Sequence, residues 1–153
     1  MENILAVLGG PRIQPLTTLM EDQGYCLMRA EFGPGVFVPL HSHEDRETFY
    51  VLSGELEAWS DGSWTSIRAG EIFDVPANTK HSIKNGSNES TFVIAVSTVR
   101  MGEFFKKVGR PAQSVKPGPP EPADLQNFRT VAAQYGFWLG SPEDNAAIGI
   151  KLG

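Results

Sequence analysis

The feature that most constrains this chain is the punctuation of its first two thirds. From about residue 12 to residue 99, Gly, Pro, Asn and Asp recur at short intervals between β-branched and aromatic runs. That pattern leaves room for short strands and tight turns but not for long helices. The strands expected are Tyr25–Phe32, Val36–Leu40, Glu47–Leu52, Glu55–Ser60, Trp64–Arg68, Ile72–Val75, His81–Lys84 and Thr91–Val99. Cys26, Met28, Ala30 and Phe32 alternate on one face of the first. Asp61-Gly62 is a two-residue hairpin turn of the primed type, because both positions tolerate a positive φ. It sets Trp59 opposite Trp64, a pair that stiffens a hairpin. Short strands in series with no strong helix between them imply an all-β sandwich or closed barrel over residues 12–99.

The remaining residues behave differently. Gly102–Val108 is long enough for one or two helical turns. Residues 109–122 then hold Pro111, Pro117, Pro119, Pro120 and Pro122, which reads as a semi-rigid linker. Asp124 is the expected N-cap of a helix over about 124–135, with Leu125, Phe128, Ala132 and Tyr135 at helical spacing and Gly136 at its stop. Phe137-Trp138-Leu139 is too apolar to stay in water, so the extension 100–153 is expected to dock on its own barrel or on a partner subunit.

Composition supports one domain with a tail. The chain has 153 residues, 41% of them apolar, which is ample for a core and excludes a disordered chain. Residues 1–99 carry 6 basic and 13 acidic residues, a poor surface for phosphate backbones, so no nucleic-acid partner is expected. A single helix after residue 123 also supplies no helix-turn-helix. The single cysteine, Cys26, has no partner for an internal disulfide and reads as a small core residue. The first eight residues carry no basic segment ahead of an apolar run, and the longest apolar stretch, Phe92–Val99, is far short of a membrane span. The expectation is a cytoplasmic protein with no membrane partner.

Chemistry concentrates on the three histidines, His41, His43 and His81. His41 and His43 are two apart, so on a strand they share a side, and Glu47 is in step four residues later. His81 opens another strand, with Ile83 on its side. Three imidazole nitrogens and one carboxylate oxygen suit a divalent first-row metal and leave coordination positions open. Met28, Phe37, Phe49, Val51 and Ile83 are expected to wall the pocket, by parity or by neighbourhood. Glu44, Asp45 and Arg46 read as a solvated turn, with Arg46 in reach of an anionic substrate. Tyr50 and Leu52 face the other way, toward a second buried surface such as a subunit contact.

The spacing is more specific than the residue types. Gly35, His41, His43, Glu47 and Gly54 form one motif; Gly70, Pro76, His81 and Asn85 form a second. Together they resemble the paired motifs of the cupin superfamily. The second departs at Asn78, where the family pattern usually has Gly; Asn readily enters the left-handed region, so the turn is expected to survive. The resemblance covers residues 35–85. It implies a double-stranded jelly-roll barrel with one metal near its mouth (Fe, Mn, Ni, Zn or Cu). It also implies that His41, His43, Glu47 and His81 are the ligands and that the chain is a homodimer. The function expected is metal-dependent chemistry on a small chelating organic molecule, of dioxygenase type, with Glu47 able to act as a general base. An isomerase or lyase, or a small-molecule-binding protein without turnover, stands as the alternative.

Overall fold

The computed structural model of the chain describes residues 3–17, 19, 24–116 and 119–152. Its strands are β1 (Leu5–Ala6), β2 (Arg12–Pro15), β3 (Cys26–Phe32), β4 (Phe37–Ser42), β5 (Glu47–Ser53), β6 (Glu55–Ser60), β7 (Ser63–Arg68), β8 (Ile72–Val75), β9 (His81–Lys84), β10 (Thr91–Ser97), β11 (Arg110–Pro111) and β12 (Trp138–Leu139). Three α-helices, α1 (Val99–Val108), α2 (Pro122–Gln134) and α3 (Pro142–Ala147), follow the main run of strands. Two antiparallel sheets face each other, a seven-stranded one ordered β11-β1-β2-β3-β10-β5-β8 and a five-stranded one ordered β12-β4-β9-β6-β7. This is the all-β fold that the strand pattern predicts and the jelly roll, with a C-terminal extension, that the resemblance implies.

Alternation decides which residues fill the space between the sheets. Cys26, Met28, Ala30 and Phe32 point inward from β3, Val93 and Ala95 from β10, and Phe49 and Val51 from β5, against Leu56, Ala58, Ile67 and Ile83 of the other sheet. Cys26 is wholly buried, as expected of a small core residue. Burying each of the Val, Leu, Ile, Phe and Met side chains among them stabilises the fold by about 1.5–3 kcal/mol. The Asp61-Gly62 turn has φ of 51° and 89°, both positive, and pairs Trp59 with Trp64 across the hairpin. Trp64 also donates its indole N–H to the Ile148 carbonyl, so this hairpin holds the end of the chain.

The extension differs from its sequence reading in detail. Thr98 caps α1, which begins three residues before the expected turn, because its hydroxyl satisfies the Met101 N–H. Arg110–Pro111 pairs with β1 rather than serving only as linker, and Pro117 lies outside the described residues. Helix α2 starts at Pro122, not after Asp124: proline suits the first turn, and Asp124 lies inside it, facing Arg110. Helix α3, unforeseen in the sequence, is opened by a capping box between Ser141 and Asp144. The apolar run at 137–139 docks on its own barrel, where Trp138 and Leu139 pair with Ser42 and His41. No helix among the described residues is long and apolar enough to cross a membrane.

Candidate metal centre

A β-bulge sets the first histidine. Val38 pairs with Ile83 and His41 with His81, so Pro39 and Leu40 together oppose Ser82. The extra residue turns His41 to the inward side that Val38 and Ile83 occupy. The strand cannot bond there in the ordinary way, and other groups compensate. Ser82 Oγ donates to the Val38 carbonyl, and the Leu40 N–H donates to Oδ1 of Asn145, a fully buried residue of α3. The bulge also corrects the reading of Phe37. Strict alternation puts it in phase with His41, yet it pairs with Lys84 and falls on the opposite face.

His43 follows β4, and its carbonyl accepts the N–H of Asn78, whose φ is 60°. Asn therefore does enter the left-handed conformation at the position where the motif usually has Gly. His81 lies across from His41 on β9, and Glu47 opens β5 of the other sheet. One ring nitrogen from each of His41, His43 and His81 lies within 4.8 Å of the others. Glu47 Oε1 lies 3.4 Å from His43 Nε2. His43, Glu47 and His81 are 2%, 4% and 1% exposed, so charge here is felt at close range with little water between.

Each imidazole is oriented the same way. Nδ1 of His41 pairs with the Pro39 carbonyl, that of His43 with Asp45 and that of His81 with Thr79, all at 2.8 Å. A carbonyl only accepts, so in the neutral ring each Nδ1 carries the proton and each Nε2 is left with a lone pair. Nε2 of His43 is buried without a hydrogen-bond partner. Removal from water, and then the neighbouring His81 and His43, hold His41 well below the usual imidazole range. Burial likewise lowers His81, only partly offset by Glu47. Burial acts on His43 in the same direction, but the Glu47 carboxylate and, after it, Asp45 together outweigh it and keep His43 above the usual value. Three convergent lone pairs, an orphaned buried nitrogen and an adjacent carboxylate fit a divalent cation.

The surroundings are partly those expected. Met28, Phe49, Val51 and Ile83 are buried in the core. Phe73 and Phe137 approach the histidines and were not foreseen. Phe73 stacks on Phe49 at 6.3 Å and lies 6.5 Å from His81, while Phe137 lies 5.1 Å from His43. The parity Phe73 shares with Val75 on β8 carried a usable signal; nothing local in the sequence aims Phe137 from the tail. In the turn 44–46, Glu44 and Arg46 are exposed as expected, but Asp45 is not. Asp45 is 3% exposed and bonded to Thr98 and Arg100, and Arg46 is engaged by Asp74 on the outer face. A cavity of about 320 Å³ between β1 and α2 is lined by other residues, among them Ala6, Arg110 and Asp124.

The comparisons agree with this geometry. The family model of the cupin domain matches residues 28–97. The chain is 32% identical over 91 residues to quercetin 2,3-dioxygenase of Bacillus subtilis (strain 168), covering 59% of this chain and 27% of that protein. It is 32% identical over 78 residues to an oxalate-binding protein of Thermotoga maritima, covering 50% of this chain and 64% of that one. The chain thus spans less than two thirds of either relative. A cupin 2 conserved barrel domain protein from Salinispora arenicola superposes with a TM-score of 0.54 at 20% identity, covering 82% of this chain and 88% of that one. Motif, barrel and family match coincide on the same residues, and residues 28–97 match the cupin domain.

Proposed function

We propose that His41, His43 and His81, through Nε2, and Glu47, through a carboxylate oxygen, hold one divalent first-row metal, Fe, Mn, Ni, Zn or Cu, and that the protein oxidises a small chelating molecule in the manner of a dioxygenase. The observation that carries this reading is the set of three imidazoles whose Nδ1 atoms are all spent on backbone carbonyls, which leaves three Nε2 atoms facing one centre beside Glu47. A metal held there supplies a Lewis acid for two substrate oxygens and, with a redox-active ion, a means of engaging dioxygen. The protein's own part is to keep the site dry, to orient the molecule and to move a proton. Phe73 and Phe137 give it an apolar flank, which suits a phenolic, β-diketone-like or small carboxylic acid better than a free sugar. Glu47 places a carboxylate oxygen 3.4 Å from His43 Nε2 and is assigned as acceptor of the substrate's hydroxyl or enol proton. Residues 12–99 are assigned as the barrel and 100–153 as its extension.

The likeness to quercetin 2,3-dioxygenase supports the oxidative reading. The likeness to an oxalate-binding protein favours a second one, in which the metal holds a small acid without oxygen chemistry, as binder, isomerase or lyase. An oxygen-electrode assay separates them. The protein loaded in turn with each metal is given a panel of phenols, β-diketones and dicarboxylic acids. Metal-dependent oxygen uptake supports the dioxygenase. Turnover that persists without oxygen, or tight metal-dependent binding with no turnover, replaces it with the second reading.

A further inference from the structure

The ligand turn is held by a second element whose residues play no part in the reading above. Three groups at the start of α1 take hold of three consecutive residues between His43 and Glu47. Ser97 Oγ donates to the Arg46 carbonyl at 2.8 Å, and Thr98 Oγ1 donates to Asp45 Oδ1 at 2.6 Å. Arg100 donates to Asp45 Oδ2 at 2.6 Å and lies 3.3 Å from Glu44 Oε1. Both oxygens of the buried Asp45 carboxylate are thereby satisfied, and its own carbonyl accepts the Nδ1 proton of His43. The guanidinium also donates to the Tyr135 carbonyl and lies over the rings of Tyr135, at 4.8 Å, and Phe137, at 6.0 Å. Phe137 is the side chain that approaches His43 from the tail.

An arginine in the first turn of a helix opposes the helix dipole, and α1 has no acidic residue there to offset it. Helix stability therefore does not account for Arg100 at this place. A buried carboxylate and a half-buried ring that both border His43 do account for it. We propose that Arg100 is a positioning residue for His43: acting through the Asp45 backbone and through Phe137, it fixes the ring's orientation and couples the C-terminal extension to the metal centre. This rests on the reading of His43 as a ligand.

The test uses the full chain and two readouts. The first is the ¹⁵N spectrum of the imidazoles in metal-free protein; the second is Zn(II) affinity by competition with a chromophoric chelator. In Arg100→Gln the Nδ1–H signature of His43 is expected to be lost or averaged while those of His41 and His81 persist. Zn(II) affinity is expected to fall about 10–100-fold, as for loss of an outer partner of a metal-bound histidine. Asp45→Asn should lose a similar factor, and the double variant no more than the worse single one, because both act along one path. Arg100→Lys, which can still reach Asp45 but lacks the fork for Tyr135, should recover part of the affinity. It also serves if the Gln variant does not fold. Unchanged His43 resonances and a Zn(II) affinity within twofold of wild type in Arg100→Gln, or in Arg100→Lys where the Gln variant does not fold, overturn the proposal, as do additive losses in the double variant. If the wild type binds no Zn(II), the metal reading falls, and the His43 resonances alone still decide whether Arg100 orients the ring.

Discussion

Nε2 of His43 stands 3.4 Å from Oε1 of Glu47, and both side chains are almost wholly out of contact with water. The two residues are four apart in sequence: His43 follows β4 of one sheet, Glu47 opens β5 of the other, and the chain turns between them. Without a cation, the carboxylate favours a proton on His43. With one, the same carboxylate offsets part of its charge while three imidazoles supply neutral donors. The pair therefore does for a metal what it does for a proton.

Removing one ligand should disable the centre and spare the fold. His81→Ala is expected to weaken metal binding by more than about 100-fold, since even outer partners of metal ligands are worth 10–100-fold. The core of apolar side chains, drawn from the sheets and from α1 and α2, includes none of the ligands, so the metal-free melting temperature should move by about 5 °C or less. Calorimetry of the apo proteins checks this. An unfolded apo wild type would make the site structural.

Much of this centre was legible in the sequence, for a physical reason. Ligand spacing on strands is a matter of parity, and turns such as Asp61-Gly62 and the position of Asn78 show in residues that tolerate a positive φ. What parity cannot reveal is where it is interrupted. The bulge at Pro39–Leu40 is stabilised by Asn145, more than a hundred residues away, so the reversal of Phe37 left no local trace. Asp45 looked like one of three charged turn residues; only the position of α1 makes it buried and paired. Likewise, the tail declared that it must dock but not that Phe137 would meet His43.

Docking of the extension depends on Phe104, which is 2% exposed and contacts Phe105, Phe128, Tyr135 and Phe137 with centroids 4.5–5.7 Å apart. Phe104→Ala should cost about 3–5 kcal/mol, the range for a buried aromatic that leaves a cavity. Urea unfolding followed by tryptophan fluorescence measures it. A loss below about 1 kcal/mol would mean that the tail is not packed on the barrel as described.

Asp74 gives a signature in pH. Thr48 and the Arg46 guanidinium hold its carboxyl below the ordinary value of 3.8. A folded-state value lower than the unfolded one stabilises the protein above pH 3.8, and that contribution disappears as pH falls through the folded value. Arg46 is largely exposed, so the effect is small, about 0.2–1 kcal/mol. Asp74→Asn should therefore be less stable than wild type at neutral pH and indistinguishable from it near the acid limit, as read by urea midpoints at both.

The outer face of the larger sheet predicts assembly. Tyr50 and Leu52 on β5, Ile72 on β8 and Phe92 and Val96 on β10 are exposed side by side, a contiguous apolar surface of the kind that marks an interface. We expect a homodimer by light scattering at micromolar concentration, and a shift toward monomer in Tyr50→Lys/Ile72→Lys. A monomeric wild type would rule out this face as a subunit contact.

The most direct test of the metal centre is anomalous diffraction from crystals of the protein loaded with Co(II) or Mn(II). The account predicts one peak per chain, about 2.0–2.3 Å from Nε2 of His41, His43 and His81 and from a carboxylate oxygen of Glu47. A peak at any other position, or none at saturating metal, would contradict it.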